Sequence, residues 1–239
     1  MLILCTRVLA AALLLSLAGC DSSPSLGATP PPPADTTGTT EPPPQTPPQT
    51  PPPQAPPPEE PGPENVGCDG QTYPALDDTP YVLPFPVGTA YRMNLGNCSA
   101  LYHAPDQPDR YAYDFGMDVG TPITAARAGT VVHVVESGVG RERNNLVVVV
   151  HDDRTFAQYM HLVQDGALVD VGDTVRQGDP IGLSGATGLA GYPHLHFVVT
   201  RGAWPWPYDP VPVSFTNVDP RDVVLQTGLT YSARPYVPD

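Results

Sequence analysis

Two histidines separated by one residue stand in the stretch PHLHF, where His194 and His196 flank Leu195. Successive side chains of a β-strand point to opposite faces, so in a strand the two imidazoles share one face while Leu195 and Phe197 share the other. Imidazoles bind transition metals and transfer protons near neutral pH. Because Leu195 and Phe197 form the natural core face, this stretch predicts two histidines that face away from the core and are available for chemistry.

A third histidine, His161, stands in the stretch FAQYMHL of another predicted strand. Strict alternation places His161 on the same face as Ala157 and Tyr159, with Met160 on the opposite face. We expect His161, His194 and His196 to project from adjacent strands and to converge on one metal-sized position.

The elements that must position these histidines have the period of β-strands. The stretches TVVHVVES, NLVVVVHDD and RTFAQYMHL are rich in β-branched residues, and HDDR between the last two is typical of a hairpin turn. Convincing amphipathic helices are absent from the sequence. We therefore predict a single, mostly antiparallel all-β domain over residues 67–239, with its core at about 81–200 and a partly extended tail over 211–239.

The composition excludes several classes of function. The chain contains no lysine, and its formal net charge is −14. Lysine is required for Schiff-base chemistry and for a phosphate-binding P-loop, so neither is expected. An acidic chain also lacks the basic face that nucleic-acid binding needs, and we expect no nucleic-acid partner.

The first 19 residues predict an export signal. Arg7 lies ahead of the apolar run VLAAALLLSLA, which is too short to span a bilayer but has the length of a signal-peptide core. The run ends in LAGC, which resembles the bacterial lipobox, in which the cysteine becomes lipidated. We therefore expect an extracytoplasmic lipoprotein anchored to a membrane through Cys20; the alternative is a plain signal peptide with an incidental cysteine.

Residues 20–66 have the composition of a linker. Eighteen of the 34 prolines lie between Pro24 and Pro63. Such a segment cannot bury a core and is typical of solvated polyproline II, so we predict a disordered, proline-rich tether.

The remaining cysteines form one pair. Cys5 leaves with the signal peptide and Cys20 takes the lipid, which leaves Cys68 and Cys98. In an exported protein these two are expected to form a disulfide, with two free buried thiols as the alternative.

The domain resembles the lysostaphin-type (LytM-type) zinc metallopeptidases, which cut peptide bridges in bacterial peptidoglycan. The resemblance rests on four blocks in the family's order: YAYDFGMDVGTPITAARAGTVV, NNLVVVVHDDRTFAQYMHL, VGDTVRQGDPIGLSGATG and PHLHF. It implies a β-sheet domain with a groove, one zinc ion per chain and peptidoglycan peptides as the partner. It also implies that Asp114 and His196 bind the metal, and that His161 and His194 are catalytic.

One position departs from the family pattern. The first zinc ligand of the family is a histidine four residues before the aspartate, and here that position is Arg110. The nearest upstream histidine is His103, in GNCSALYH, eleven residues before Asp114. We assign His103 as the third metal ligand; the alternative is a degenerate site.

Three functions compete on these grounds. The first is a membrane-tethered zinc endopeptidase, and the second is a catalytically inactive LytM-type regulator or activator of other cell-wall hydrolases. The third is an unrelated hydrolase, but GLSGA does not fit the serine-hydrolase motif G-x-S-x-G, and no spacing supports Asp114 and Glu136 as a glycosidase pair. His133 and His151 are expected to be structural or to lie at the surface.

Overall fold

The computed structural model describes residues 67–238. The predicted signal peptide, the lipidation site Cys20 and the proline-rich linker lie outside these residues. In the described part of the chain, no helix is both long and apolar enough to cross a membrane.

Residues 67–238 form thirteen β-strands and one 3-10 helix, Leu101–His103, which lies between the first two strands. Since these residues contain no α-helix, the predicted all-β class is confirmed. The strands are β1 (Ala90–Leu95), β2 (Tyr113–Gly116), β3 (Pro122–Thr124), β4 (Gly129–Val135), β5 (Leu146–Val150), β6 (Thr155–Met160), β7 (Leu162–Ala167), β8 (Thr174–Val175), β9 (Pro180–Ser184), β10 (His194–Arg201), β11 (Asp209–Pro210), β12 (Val218–Asp219) and β13 (Thr230–Ala233).

The strands form two antiparallel sheets. The larger sheet has the order β12-β13-β1-β2-β10-β6-β5-β4-β8, with β11 paired to β10, and the smaller sheet has the order β3-β9-β7. The core lies between them: buried residues of the small sheet such as Ile123 and Ile181 belong to the same apolar cluster as Val147 and Tyr159 of the large sheet. Two sheets facing each other in this way bury one face of each and leave the other face of the large sheet for function.

Strand β10 is central to the larger sheet because β2 and β6 flank it. Leu195 pairs with Phe115, and Phe197 pairs with Tyr113 on one side and Tyr159 on the other. All of these side chains are fully buried, which confirms the predicted core face. His194 and His196 therefore lie on the opposite face of the sheet.

The hydrophobic core extends well past residue 200, the end expected from the sequence. Strand β13 pairs with β1, and β12 pairs with β13. Phe215, Val218 and Tyr231 are completely buried. The C-terminal residues are thus part of the sheet and the core. The sequence had predicted only a partly extended tail for residues 211–239.

A disulfide joins Cys68 to Cys98 and fastens the chain ahead of the first strand to the segment between β1 and β2. Cys98 has a left-handed backbone, φ 48°, and its N–H donates to the Arg110 carbonyl at 2.8 Å. The segment 96–112, which we term the β1–β2 loop, carries the 3-10 helix and is therefore held by a covalent bond as well as by hydrogen bonds.

Candidate metal centre and active site

The pairing of β2 with β10 brings Asp114 and His196 together. The two residues lie directly opposite each other in the antiparallel register, so their side chains share a face of the sheet. His196 Nδ1 lies 2.9 Å from Asp114 Oδ1. Two potential metal ligands are therefore positioned by the backbone pairing of two neighbouring strands.

His103 reaches the same carboxylate from the β1–β2 loop. It ends the 3-10 helix and is buried, with 1% of its surface exposed. Its Nδ1–H donates to the Gly96 carbonyl at 3.2 Å, which leaves the lone pair of Nε2 free, and Nε2 lies 3.3 Å from Asp114 Oδ1. The local hydrogen bond thus selects the imidazole nitrogen that faces Asp114.

The three donor groups have a spacing that suits a metal ion. One atom each of His103, Asp114 and His196 lies within 4.8 Å of the other two. Tetrahedral ligands at about 2.0–2.1 Å from zinc are about 3.3–3.4 Å apart. The distances of 3.3 Å and 2.9 Å from Asp114 Oδ1 to the two imidazole nitrogens are close to that value.

The electrostatics of this cluster favour a positive charge at its centre. Asp114 is only 6% exposed, and its ion-pair partners among the described residues are histidines. Burial raises the pKa of Asp114, but the neighbouring imidazoles of His103 and His196 outweigh that effect and leave the pKa far below its usual value. A buried carboxylate that stays ionised needs a compensating cation.

His196 lies between two carboxylates. Burial lowers its pKa, but the charges and hydrogen bonds of Asp109 and Asp114 outweigh burial and raise the pKa to about 10. The pocket therefore favours a cation, which a proton supplies in the metal-free protein and which a divalent metal would supply on binding. The donor set and its charge fit zinc.

Two further histidines stand beside this cluster. His161 and His194 have ring centroids 4.7 Å apart, and His194 Nε2 lies 3.6 Å from Asp114 Oδ2. His161 donates its Nδ1–H to the Thr187 carbonyl and His194 donates its own to the Tyr192 carbonyl, each at 2.8 Å. In both rings Nε2 is therefore the nitrogen that carries a free lone pair.

The pKa values of these two imidazoles match that arrangement. Burial lowers the pKa of His161 to about 3, with the neighbouring histidines adding to the effect. Burial also lowers the pKa of His194, against the opposing charge of Asp114. Both rings are consequently neutral near pH 7 and able to accept a proton at Nε2.

The route by which His161 reaches the site differs from the one expected. Strand β6 ends at Met160, and it is Met160, not His161, that lies opposite His196 and shares its face. His161 follows with a left-handed backbone, φ 67°, and its N–H donates to Asn144 Oδ1 at 2.9 Å. The predicted sharing of a face with Ala157 and Tyr159 was wrong, because the chain leaves the strand geometry at His161.

The family model for peptidase family M23 matches residues 109–210. The chain is also 30% identical to the catalytic domain of the antimicrobial peptidase lysostaphin from Staphylococcus simulans, over 54% of this chain and 85% of that one, with a TM-score of 0.36. Residues 109–210 of this chain are a peptidase family M23 domain. The resemblance stated from the sequence is confirmed.

Two curated proteins are similar to this M23 domain over part of their length. An uncharacterized metalloprotease of Buchnera aphidicola is 32% identical over 150 residues, which are 63% of this chain and 36% of that protein. The peptidoglycan DD-endopeptidase ShyA of Vibrio cholerae is 38% identical over 90 residues, which are 37% of this chain and 20% of that protein. The chain thus spans well under half the length of these relatives.

The M23 match includes four of the five site residues expected from the sequence: Asp114, His161, His194 and His196. His103 precedes the matched residues, so its assignment depends on the geometry described above. Arg110, at the family's usual ligand position, does not belong to either metal-binding group; its guanidinium lies 3.5 Å from Asp209 and over the ring of Tyr111.

A second group of histidines in this M23 domain also has metal-binding spacing. His161, His194 and His196 offer donor atoms within 4.8 Å of one another. An all-histidine set leaves the buried carboxylate of Asp114 outside the coordination, whereas the set with His103 and Asp114 neutralises it. Since an uncompensated buried charge is costly, the set of His103, Asp114 and His196 is favoured.

Sequence reasoning missed Asp109 and Tyr208. Asp109 Oδ1 lies 3.3 Å from His196 Nε2, and the Tyr208 hydroxyl donates to that same oxygen. Neither residue stands in a motif that signals a role, because their contacts are distant in sequence: Asp109 is 87 residues from His196, and Tyr208 is 99 residues from Asp109. The two other histidines lie elsewhere: His133 stacks on Trp204, and His151 donates Nδ1–H to the Ala128 carbonyl.

Two groups of residues with different chemistry lie next to the site. One group consists of Tyr91, Gly116, Met117, Asp118, Thr121 and Pro193. It adjoins His194, which pairs with Gly116 across β2 and β10. The other group is an apolar cluster of Ala112, Met160 and Val198, bordered by Leu146 and Tyr208, which lies next to His196.

Proposed function

We propose that this protein is a zinc-dependent endopeptidase that hydrolyses peptide cross-links of bacterial peptidoglycan. The observation that carries the proposal is the convergence of His103, Asp114 and His196 on one position, with the free Nε2 atoms of His161 and His194 beside it. Membership of family M23 and the similarity to a peptidoglycan DD-endopeptidase support the substrate class.

In this proposal His103 Nε2, one carboxylate oxygen of Asp114 and His196 Nδ1 hold one zinc ion per chain. Zinc bound by three protein ligands supplies an activated water and polarises the scissile carbonyl. The neutral Nε2 of His161 or of His194 accepts a proton from the attacking water. The imidazolium that forms stabilises negative charge on the carbonyl oxygen and then passes the proton to the departing amine nitrogen. The hydrogen bonds from Nδ1–H keep both rings in the tautomer that accepts a proton at Nε2.

The decisive experiment measures zinc content and release of soluble peptide fragments from purified peptidoglycan. We expect the wild-type protein to carry close to one zinc per chain and to release fragments. His161→Ala should keep its zinc and lose turnover by about 100-fold or more, because its role is proton transfer and not coordination. His133→Ala, a histidine stacked on Trp204 outside the site, is the matched control and should retain both properties.

Two outcomes would change this assignment. A wild-type protein that cannot be loaded with zinc would contradict the enzyme. A protein that binds zinc but releases nothing from any peptidoglycan type would favour the inactive LytM-type regulator of other wall hydrolases.

We also propose the domain organisation and location expected from the sequence. Residues 1–19 act as a lipoprotein signal peptide, Cys20 carries the lipid, residues 20–66 form the tether, and residues 67–239 are the peptidase domain. The disulfide between Cys68 and Cys98 supports an oxidising, extracytoplasmic compartment.

Lipidation is tested by growing cells that produce the protein with labelled fatty acid. The wild-type protein should become labelled, whereas Cys20→Ala should remain unlabelled and appear in the soluble fraction. Cys5→Ala is the matched control because Cys5 leaves with the signal peptide. Equal labelling of wild type and Cys20→Ala would exclude the lipid anchor.

A further inference from the structure

A carboxylate contacts His196 on the side of the ring that faces away from the proposed metal position. Asp109 is 8% exposed, and its Oδ1 lies 3.3 Å from His196 Nε2. Asp109 belongs to the β1–β2 loop, so a ligand on strand β10 is in contact with the segment that also supplies His103. Burying an aspartate at this position requires partners that compensate its charge.

The contact determines which nitrogen of His196 is free to bind a metal. An ionised carboxylate only accepts hydrogen bonds, so His196 Nε2 must carry a proton to pair with Asp109. In the neutral ring the lone pair is then on Nδ1, which is the atom 2.9 Å from Asp114 Oδ1. Asp109 thereby selects the tautomer in which Nδ1 is the ligand atom.

A tyrosine holds that carboxylate in place. The Tyr208 hydroxyl donates to Asp109 Oδ1, the same oxygen that His196 contacts. Tyr208 immediately precedes β11, whose pairing with Thr200 and Arg201 at the end of β10 returns the chain to the site. A series of contacts therefore runs from the end of β10 through β11, Tyr208 and Asp109 to His196, which itself lies on β10.

We propose that Asp109 and Tyr208 are positioning residues that hold His196 in its metal-binding tautomer and strengthen binding of a divalent metal. Asp109 also adds a second negative charge beside the one on Asp114, so that the two carboxylates balance the charge of a dication. This inference rests on the proposed zinc site. Hydrogen-bonded partners of metal-binding histidines generally change metal affinity by about 10–100-fold.

The test is zinc affinity by chelator competition, together with the visible absorption spectrum of the protein loaded with Co²⁺. Asp109→Asn should weaken zinc binding by about 10–100-fold and shift the Co²⁺ bands, because it removes the charge and makes the ring a weaker donor. Tyr208→Phe keeps that charge and should weaken binding by up to about 10-fold. The spectrum reports on the ligand field, which a merely structural role for Asp109 would leave unchanged.

Asp209→Asn is the matched control. It makes the same chemical change one residue beyond Tyr208, in a side chain that is 72% exposed and pairs with Arg110 at the surface. We expect wild-type affinity and spectrum for this variant. If Asp109→Asn fails to fold, Tyr208→Phe carries the test, since it removes a single hydroxyl.

The outcomes separate this inference from the proposed function. If the wild type binds zinc and both Asp109→Asn and Tyr208→Phe match it in affinity and spectrum, the positioning role is overturned while the zinc site stands. If the wild type binds no zinc, both proposals are overturned.

Discussion

The proposed metal centre is built from two parts that are held by different forces. Asp114 and His196, the strand part, lie on paired strands β2 and β10, where a run of cross-strand contacts sets their register. His103 and Asp109, the loop part, lie in the β1–β2 loop, where the regular structure is a single turn of 3-10 helix. Side-chain bonds to backbone carbonyls and the disulfide hold this loop. Because different contacts hold the two parts, we expect that the loop part can be disturbed without unfolding the sheet.

The largest expected effect comes from removing a ligand of either part. His196→Ala and His103→Ala should each lower zinc affinity on the order of 1000-fold, because each removes about a third of a zinc-binding free energy of about 10–16 kcal/mol. Chelator competition measures the affinity, and a similar loss in the two variants would make the two parts equal contributors to coordination.

Arg110→Ala provides the control, since arginine stays protonated and cannot coordinate zinc. It should retain wild-type affinity although it occupies the family's usual ligand position. Full zinc binding by His103→Ala would assign the first ligand to a residue other than His103.

Removing the disulfide should affect the loop part more than the strand part. In a chain-entropy model, closing the loop between Cys68 and Cys98, 30 residues apart, stabilises the fold by roughly 3–4 kcal/mol. We expect the double variant Cys68→Ser, Cys98→Ser to lose stability of that order in urea unfolding and to bind zinc more weakly through His103. Hydrogen exchange should accelerate in the β1–β2 loop and remain slow in β2 and β10. Equal acceleration in loop and strands would show that the two parts do not respond separately.

A smaller effect should come from His151, a buried histidine of the β5–β6 turn that contacts neither part. Burial lowers its pKa to about 4, so the folded protein takes up its proton less readily than the unfolded chain. Its contribution to stability is therefore complete above about pH 6.5 and declines as the pH falls towards 4, by up to about 3 kcal/mol.

Urea unfolding in the presence of a chelator, from pH 7.5 to 4, measures this effect apart from the metal. His151→Gln should flatten the pH dependence over this range. His133→Gln, at a half-buried histidine, should leave it close to that of the wild type. If the pH dependence of stability is unchanged in His151→Gln, the acid sensitivity belongs to other groups. The histidines of the proposed metal centre would then be the first candidates.

Residues with short-range patterns were predictable from the sequence. The alternation in PHLHF places Leu195 and Phe197 in the core and the two histidines on the other face, and the structure shows that arrangement. The all-β class and the relationship to family M23 followed from β-branched runs and from four blocks in order. These features depend on period and spacing within a few residues, which the sequence records directly.

Other features depend on contacts between distant parts of the chain, and only the tertiary structure decided them. Strict alternation put His161 on the wrong face, because a left-handed backbone at the strand end redirects its side chain. Asp109 and Tyr208 are 99 residues apart and meet through the pairing of β11 with β10. The sequence by itself therefore determined which residue types were available for a metal centre. The tertiary structure decided which nitrogen of each histidine faces it, because a hydrogen bond to the other nitrogen selects the tautomer.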